Sequence, residues 1–291
     1  MEIIVAKNSG FCFGVKRAVD TVTGELKKGG QIYTWGPIIH NDEVVGDFEQ
    51  QGVRTINNIE ELKGIEKIQG KRQTVIIRAH GAPKYIYEII EEKGLELSDA
   101  TCPFVKKIHE TVERESRDGK QIIIVGNAKH PEVEGIMGWC ENDPIVVETT
   151  EEARNLKDLR NIPVCVVAQT TFNFNKFQEI VEILSNSCYD INAVNTICNA
   201  TELRQTEARK LASQVDAMLV VGGAKSSNTQ KLFEICSSEC NNTYFIQTAK
   251  DLKGNDFSLR NTLGVTAGAS TPNYIIEEIL NYVRTNFWRD V

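Results

Sequence analysis

Three cysteines at matched places in a repeated pattern constrain this chain more than any other feature. Cys12 sits in Gly-Phe-Cys-Phe-Gly-Val-Lys, Cys102 in Ala-Thr-Cys-Pro-Phe-Val-Lys and Cys198 in Thr-Ile-Cys-Asn-Ala-Thr-Glu. Each closes an apolar or extended stretch and opens a helix-like run, over 15–26, 105–114 and 203–212. His40, His130 and Ser226 each lie 28 residues after one of these cysteines. His80 and Thr170 lie 68 after theirs, and Ser270 lies 72 after Cys198. An apolar or β-branched run leads into each of these stations, and amphipathic runs over 84–92, 176–184 and 274–283 follow the last of each set. Three units matched at three stations each are an internal repeat.

Strands alternating with helices predict βαβ units and mainly parallel sheets. In such sheets ligands bind outside the carboxyl ends of the strands, on the turns where all nine stations fall. The expected fold class is therefore α/β: three similar small α/β domains with mainly parallel sheets, in a pseudo-threefold trefoil around a central cavity. The domains are expected over 13–102, 103–197 and 198–291. The strand over 2–6 matches the one before Cys102, so residues 1–12 are expected to complete the sheet of the third domain. Lys63–Arg72 reads as a basic, Gly-punctuated loop with no evident chemistry.

Of the 291 residues, 41% are hydrophobic and 25% charged, as in a soluble globular protein. A formal net charge of −7 argues against broad nucleic-acid binding, which needs a basic face. It leaves room for an anion held by local donors and helix N-termini. Apolar runs such as Ile122–Val125 and Ala217–Val221 are far too short to cross a bilayer, and the start lacks the pattern of a signal peptide. A cytoplasmic protein is expected, in which the eight cysteines read as thiols rather than disulfides. Cys165, in Pro-Val-Cys-Val-Val, reads as core. Cys236 and Cys240 read as incidental, since no second pair or nearby His completes a zinc site. His109, in Lys-Lys-Ile-His-Glu, reads as a surface residue of a helix.

Each repeated cysteine stands near a helix N-terminus, whose dipole and open N–H groups favour the thiolate. Three thiolates can hold zinc with a fourth ligand, or a cubane iron–sulfur cluster. Zinc sites gather ligands in local pairs, which these distant cysteines do not form. Three plain core cysteines would leave the accompanying polar stations unexplained. A three-cysteine cluster leaves one iron able to act as a Lewis acid while the cluster delivers electrons. His40, His80, Ser226, Ser227, Asn228 and Ser270 are short donors suited to a phosphate or diphosphate. A lone Ser or Asn on such a turn is equally an N-cap. Glu132, two residues beyond His130, reads as a general acid if a closed pocket raises its pKa, with Thr170 relaying the proton. A first-turn carboxylate favouring the helix dipole is the plainer alternative.

Together these segments resemble the 4-hydroxy-3-methylbut-2-enyl diphosphate reductase family (IspH, or LytB). The likeness runs from Asn8 to Val283. It rests on Gly-Phe-Cys-Phe-Gly-Val, His40-Asn41, Ala-His-Gly at 79–81, Asp-Ala-Thr-Cys-Pro and His-Pro-Glu-Val-Glu-Gly. It continues through Gln-Thr-Thr at 169–171, Ile-Cys-Asn-Ala-Thr, Ser-Ser-Asn at 226–228 and Thr-Ala-Gly-Ala-Ser. The resemblance implies a trefoil around a [4Fe–4S] cluster ligated by Cys12, Cys102 and Cys198, with the substrate hydroxyl on the iron that lacks a protein ligand. It implies a diphosphate site of His40, His80, Ser226, Asn228 and Ser270, with Ser227 and His130 nearby, and proton delivery by Glu132 with Thr170. The implied reaction is reductive dehydroxylation to isopentenyl and dimethylallyl diphosphate, the last step of the methylerythritol phosphate route, with ferredoxin or flavodoxin as electron donor. Two departures stand out. Leu62–Arg72 is longer than the family pattern, and Glu202-Leu203 replaces a more polar pair. No appended RNA-binding domain is expected.

Two other functions compete. A radical or hydro-lyase enzyme with a three-cysteine cluster usually has closely spaced ligands, which this chain lacks. An iron–sulfur sensor of a phosphorylated ligand has no need of Glu132 beside Thr170.

Overall fold

The apolar runs fold as short parallel strands, and helices take up the amphipathic runs between them. The computed structural model describes residues 2–156, 159, 162–186, 190–253 and 261–287. The chain opens with β1 (Glu2–Val5), α1 (Phe13–Lys28), β2 (Gln31–Trp35), α2 (Asp42–Gln50), β3 (Arg54–Ile56) and α3 (Ile59–Lys63). There follow β4 (Gln73–Ile77), α4 (Lys84–Glu92), β5 (Glu96–Asp99), α5 (Pro103–Arg117), β6 (Gln121–Val125) and α6 (Pro131–Met137). Next come β7 (Ile145–Val147), α7 (Thr150–Arg154), β8 (Val164–Ala168), α8 (Phe174–Ser185) and β9 (Ile191–Ala193). Last are α9 (Asn199–Ala212), β10 (Ala217–Val221), α10 (Ser227–Glu239), β11 (Thr243–Ile246), a 3-10 turn at Ala249–Leu252, β12 (Thr262–Ala267) and α11 (Asn273–Phe287).

Three four-stranded parallel sheets result, in the orders β3-β2-β4-β5, β7-β6-β8-β9 and β11-β10-β12-β1. The orders are one pattern repeated. In each, two central strands are flanked on one side by a short strand and on the other by the strand that runs into a cysteine. β1 fills that last place in the third sheet, pairing Glu2 with Thr262 through Val5 with Val265.

The central strands β6, β8 and β10 are almost wholly apolar because helices cover both of their faces. On β6, Ile123 and Val125 join one core with Phe177 and Ile180, while Ile122 and Ile124 join another with Ile108 and Val112. Burying each such side chain contributes about 1.5–3 kcal/mol. Among the described residues no helix is long and apolar enough to cross a membrane.

By compactness the chain divides into two units. The first unit comprises Met1–Phe13, His40–Asp42 and Asn199–Val291, and the second comprises Gly14–Ile39 and Glu43–Cys198.

His109 departs from expectation. It is 3% exposed, and its ring stacks on Trp139 at 5.2 Å between centroids and 14° between planes. Burial pushes its pKa down to about 4. The charged neighbours Lys106, Lys107 and Glu110 obscure the reason. Val105, Ile108, His109 and Val112 share the i, i+3, i+4, i+7 stripe that α5 buries. Lys63 also belongs to α3 rather than to the loop. Asn58 caps that helix by accepting the Glu61 N–H at 2.9 Å.

Candidate active site

All nine repeated stations lie between the end of a strand and the start of the next helix. Backbone hydrogen bonds fix the cysteine turns in a repeated way. The Cys102 N–H donates to Ala79 O at 2.9 Å, beside His80. The Cys198 N–H donates to Thr170 O at 3.0 Å, and the Cys12 N–H donates to Ala269 O at 3.2 Å, beside Ser270. Each cysteine is thus tied to the turn that carries the last polar station of its own sheet.

The second unit brings together Cys102, Cys198, His80, His130, Glu132 and Thr170. The His80 and His130 rings meet edge to face, 5.4 Å apart at 86°. His130 caps α6: its Nδ1 accepts the Glu132 N–H at 3.1 Å. Glu132 is 2% exposed. Its Oε1 accepts the Thr170 N–H at 2.6 Å, and its Oε2 lies 2.8 Å from Thr170 Oγ1. Burial raises its pKa to about 7, against the opposing pull of the two Thr170 hydrogen bonds.

Around Cys102 the structure adds a residue that sequence reasoning missed. Arg17 reaches from α1 to donate to Thr101 O at 2.9 Å and Asp99 O at 3.0 Å, clamping the turn that carries the cysteine. Gly14 lies against the sulfur, where an added Cβ would stand 2.6 Å from Cys102 Sγ. The thiol therefore needs a neighbour without a side chain.

The first unit brings together Cys12, His40, Ser226, Ser227, Asn228 and Ser270. Ser270 Oγ donates to His40 O at 3.0 Å and lies 3.3 Å from Ser226 Oγ. Ser226 caps α10, accepting the Thr229 N–H at 3.4 Å, so the capping role is real for this serine. Ser227 is half-buried. Asn228 is 3% exposed, yet neither its amide nitrogen nor its amide oxygen has a partner among the described residues. A buried amide left unsatisfied is costly, and the accepting oxygens of an anionic ligand would relieve its N–H donors. Arg204 repeats the clamp of Arg17, donating from α9 to Ala267 O at 2.7 Å and Gly10 O at 3.0 Å. The sequence held a signal for this pair. One arginine stands five residues after Cys12 and the other six after Cys198.

The remaining described cysteines are of another kind. Burial pushes the Cys165 thiol up to about 11 and the Cys236 thiol up to about 12, which suppresses thiolate chemistry. Cys236 and Cys240 are buried, with Sγ contacts to Ala208 O and Val215 O. Cys188 lies outside the described residues. Cys12, Cys102 and Cys198, half-buried like Cys140, differ in standing at turns that start helices, where soft sulfur donors suit a metal or an iron–sulfur cluster.

The model of the LytB protein family matches residues 3–284. The 4-hydroxy-3-methylbut-2-enyl diphosphate reductase of Caldanaerobacter subterraneus subsp. tengcongensis is 46% identical, covering 98% of this chain and 97% of its own length. The enzyme of the same name from Clostridioides difficile is 44% identical over 97% of this chain and 99% of its own. Among solved structures, (E)-4-hydroxy-3-methyl-but-2-enyl diphosphate reductase, described as the terminal enzyme of the non-mevalonate pathway, matches with a TM-score of 0.69 at 42% identity, over 98% of this chain and 100% of that one. The Plasmodium falciparum reductase matches with a TM-score of 0.89 at 30% identity, over 97% of this chain and 88% of that one. With a family model and relatives that match nearly its whole length, the chain belongs to the LytB protein family.

Proposed function

We propose that the chain is a reductase that converts 4-hydroxy-3-methylbut-2-enyl diphosphate to isopentenyl diphosphate and dimethylallyl diphosphate, the last step of the methylerythritol phosphate route. The observation that carries this reading is the buried Glu132–Thr170 pair, a carboxyl able to hold a proton at neutral pH beside a hydroxyl able to pass it on. The names of close relatives point to the same reaction. Two electrons and two protons enter, the allylic C–O bond breaks, water leaves, and a C–H bond forms.

On this reading Cys12, Cys102 and Cys198 hold one [4Fe–4S] cluster, with one iron lacking a protein ligand. When bound, the cluster supplies the electrons, which arrive from ferredoxin or flavodoxin in the cytoplasm. The working body is three α/β modules over 13–102, 103–197 and 198–291, with 1–12 completing the last.

The residues of the chain do the rest. Ser226, Ser227 and Asn228 donate to the diphosphate, as do His40, His80 and His130, and Ser270 joins them when its hydroxyl turns away from His40 O. His130 contributes through Nε2, since Nδ1 is engaged by the Glu132 N–H. With Glu132 ionised, the Thr170 N–H donates to Oε1 and the Thr170 hydroxyl to Oε2; protonation of Glu132 on Oε2 reverses the second bond. Donated to Thr170 Oγ1, the acid proton frees the hydroxyl's own proton to point at the substrate. A sensor would have no use for this relay.

The test is anaerobic. Protein prepared without oxygen is expected to contain about four irons and four sulfides per chain and to turn over the allylic diphosphate with a chemical reductant. Protein that remains inactive after cluster reconstitution, or that holds only zinc, would overturn the reading.

A further inference from the structure

Arg78 follows β4, two residues before His80, but it lines a separate cleft of about 790 Å³ in the second unit. Trp35, Gly36, Pro83, Tyr85 and Met137 also line it, whereas none of the residues assigned above to the cluster, the diphosphate or the proton relay does. Arg78 is 8% exposed. Its guanidinium makes no hydrogen bond or ion pair with any described residue, and its Nε is fully enclosed. Glu134, also on the cleft wall, favours the charge from a distance without pairing to it. Burial pushes the pKa of Arg78 down to about 10, so the group is still a cation at neutral pH.

The backbone makes room for this cation. Gly36, at φ +67°, lies so close that an added Cβ would stand 2.2 Å from Arg78 Nη1. A buried charge without a partner is among the costliest arrangements in a protein. A planar guanidinium presents paired donors that match the oxygens of a carboxylate or phosphate. Trp35, Pro83, Tyr85 and Met137 offer apolar wall, and the volume is that of a small-molecule site.

We propose that this cleft binds a small organic oxyanion, a carboxylate or phosphate borne on an aromatic or apolar body, with Arg78 as the anion-recognising group. Three probes separate the sources of that chemistry: phenyl phosphate, benzoate and inorganic phosphate. Each is titrated into the full-length holoprotein under calorimetry and tryptophan fluorescence.

One equivalent of an aromatic anion is expected to bind saturably. Arg78→Gln should weaken it at least ~10-fold, the scale of one charge-assisted bidentate contact. Tyr85→Ala should weaken the aromatic anions several-fold, by roughly 2–5-fold, and leave inorganic phosphate unaffected. A Ser226→Ala/Asn228→Ala double variant should bind as wild type does, because those residues belong to the other anion site. Should Arg78→Gln fold poorly by its melting profile, Arg78→Lys keeps the charge without the planar fork and should still weaken binding. The proposal is overturned if no probe saturates below ~10 mM, if the Arg78 variants bind as wild type, or if binding follows Ser226 and Asn228 instead.

Discussion

At the scale of single residues, the chemistry turns on one carboxyl. Glu132 is both a proton store and a cost to the fold. Its folded pKa, about 7, lies above the ordinary value of 4.5, so the native state binds the proton more tightly than the unfolded chain does. Stability contributed by the neutral form is complete below pH 4.5 and is lost as pH rises toward 7, a fall of roughly 3 kcal/mol. Glu132→Gln keeps an acceptor for the Thr170 N–H and a neutral partner for its hydroxyl. That variant should lack the pH-dependent fall in urea denaturation. Turnover should fall ~10²–10⁴-fold while the iron and sulfide content stays unchanged. Wild-type turnover should decline above pH 7 as the acid form is depleted. A variant with near wild-type turnover would remove Glu132 from the proton path.

At the scale of elements, the recurring device is an arginine that ties a helix to a cysteine turn. Arg17 on α1 satisfies the carbonyls of Asp99 and Thr101, and Arg204 on α9 satisfies those of Ala267 and Gly10. Turns that end parallel strands have no ladder to satisfy their carbonyls, so a donor from a neighbouring helix decides how firmly they are held. Arg17→Met keeps much of the packing and removes both bonds. Its expected cost is about 1–3 kcal/mol in urea denaturation, with faster hydrogen exchange at the Cys102 amide. Unchanged exchange there would mean that the turn holds itself.

At the scale of the whole molecule, the two ends of the chain build one sheet. Glu2 pairs with Thr262, and the Ala6 N–H donates to Val265 O at 2.8 Å. So distant a pairing pays a large loop-closure entropy, and contacts of this kind form slowly. Ala6→Pro removes that donor without altering the cores built on β4, β6 and β8. It should destabilise the first unit by about 1–3 kcal/mol. Amides of β12 should exchange faster while those of β6 and β8 stay protected. A uniform loss of protection would show that the two units unfold as one.

Much of this was legible in the sequence because it is local or repeated. The buried runs of β6, β8 and β10 declare themselves by being apolar throughout, and α4 spans the predicted 84–92. The place of β1 followed from its likeness to the strand before Cys102, since a repeated unit needs the same set of strands each time. Placing every station on a strand-to-helix turn followed from the same repeat.

What the sequence could not supply depends on partners far along the chain. His109 is buried because Trp139, thirty residues away, stacks on it, and its charged neighbours conceal that. Nothing local in the sequence marks Arg78; only tertiary structure leaves its guanidinium enclosed and without a partner among the described residues. The raised pKa of Glu132 likewise needs the apolar enclosure that only packing provides. Spacing and periodicity determined which residues stand on the turns of this protein. Burial, a sum over distant contacts, decided which of them carry a charge, hold a proton or await a ligand.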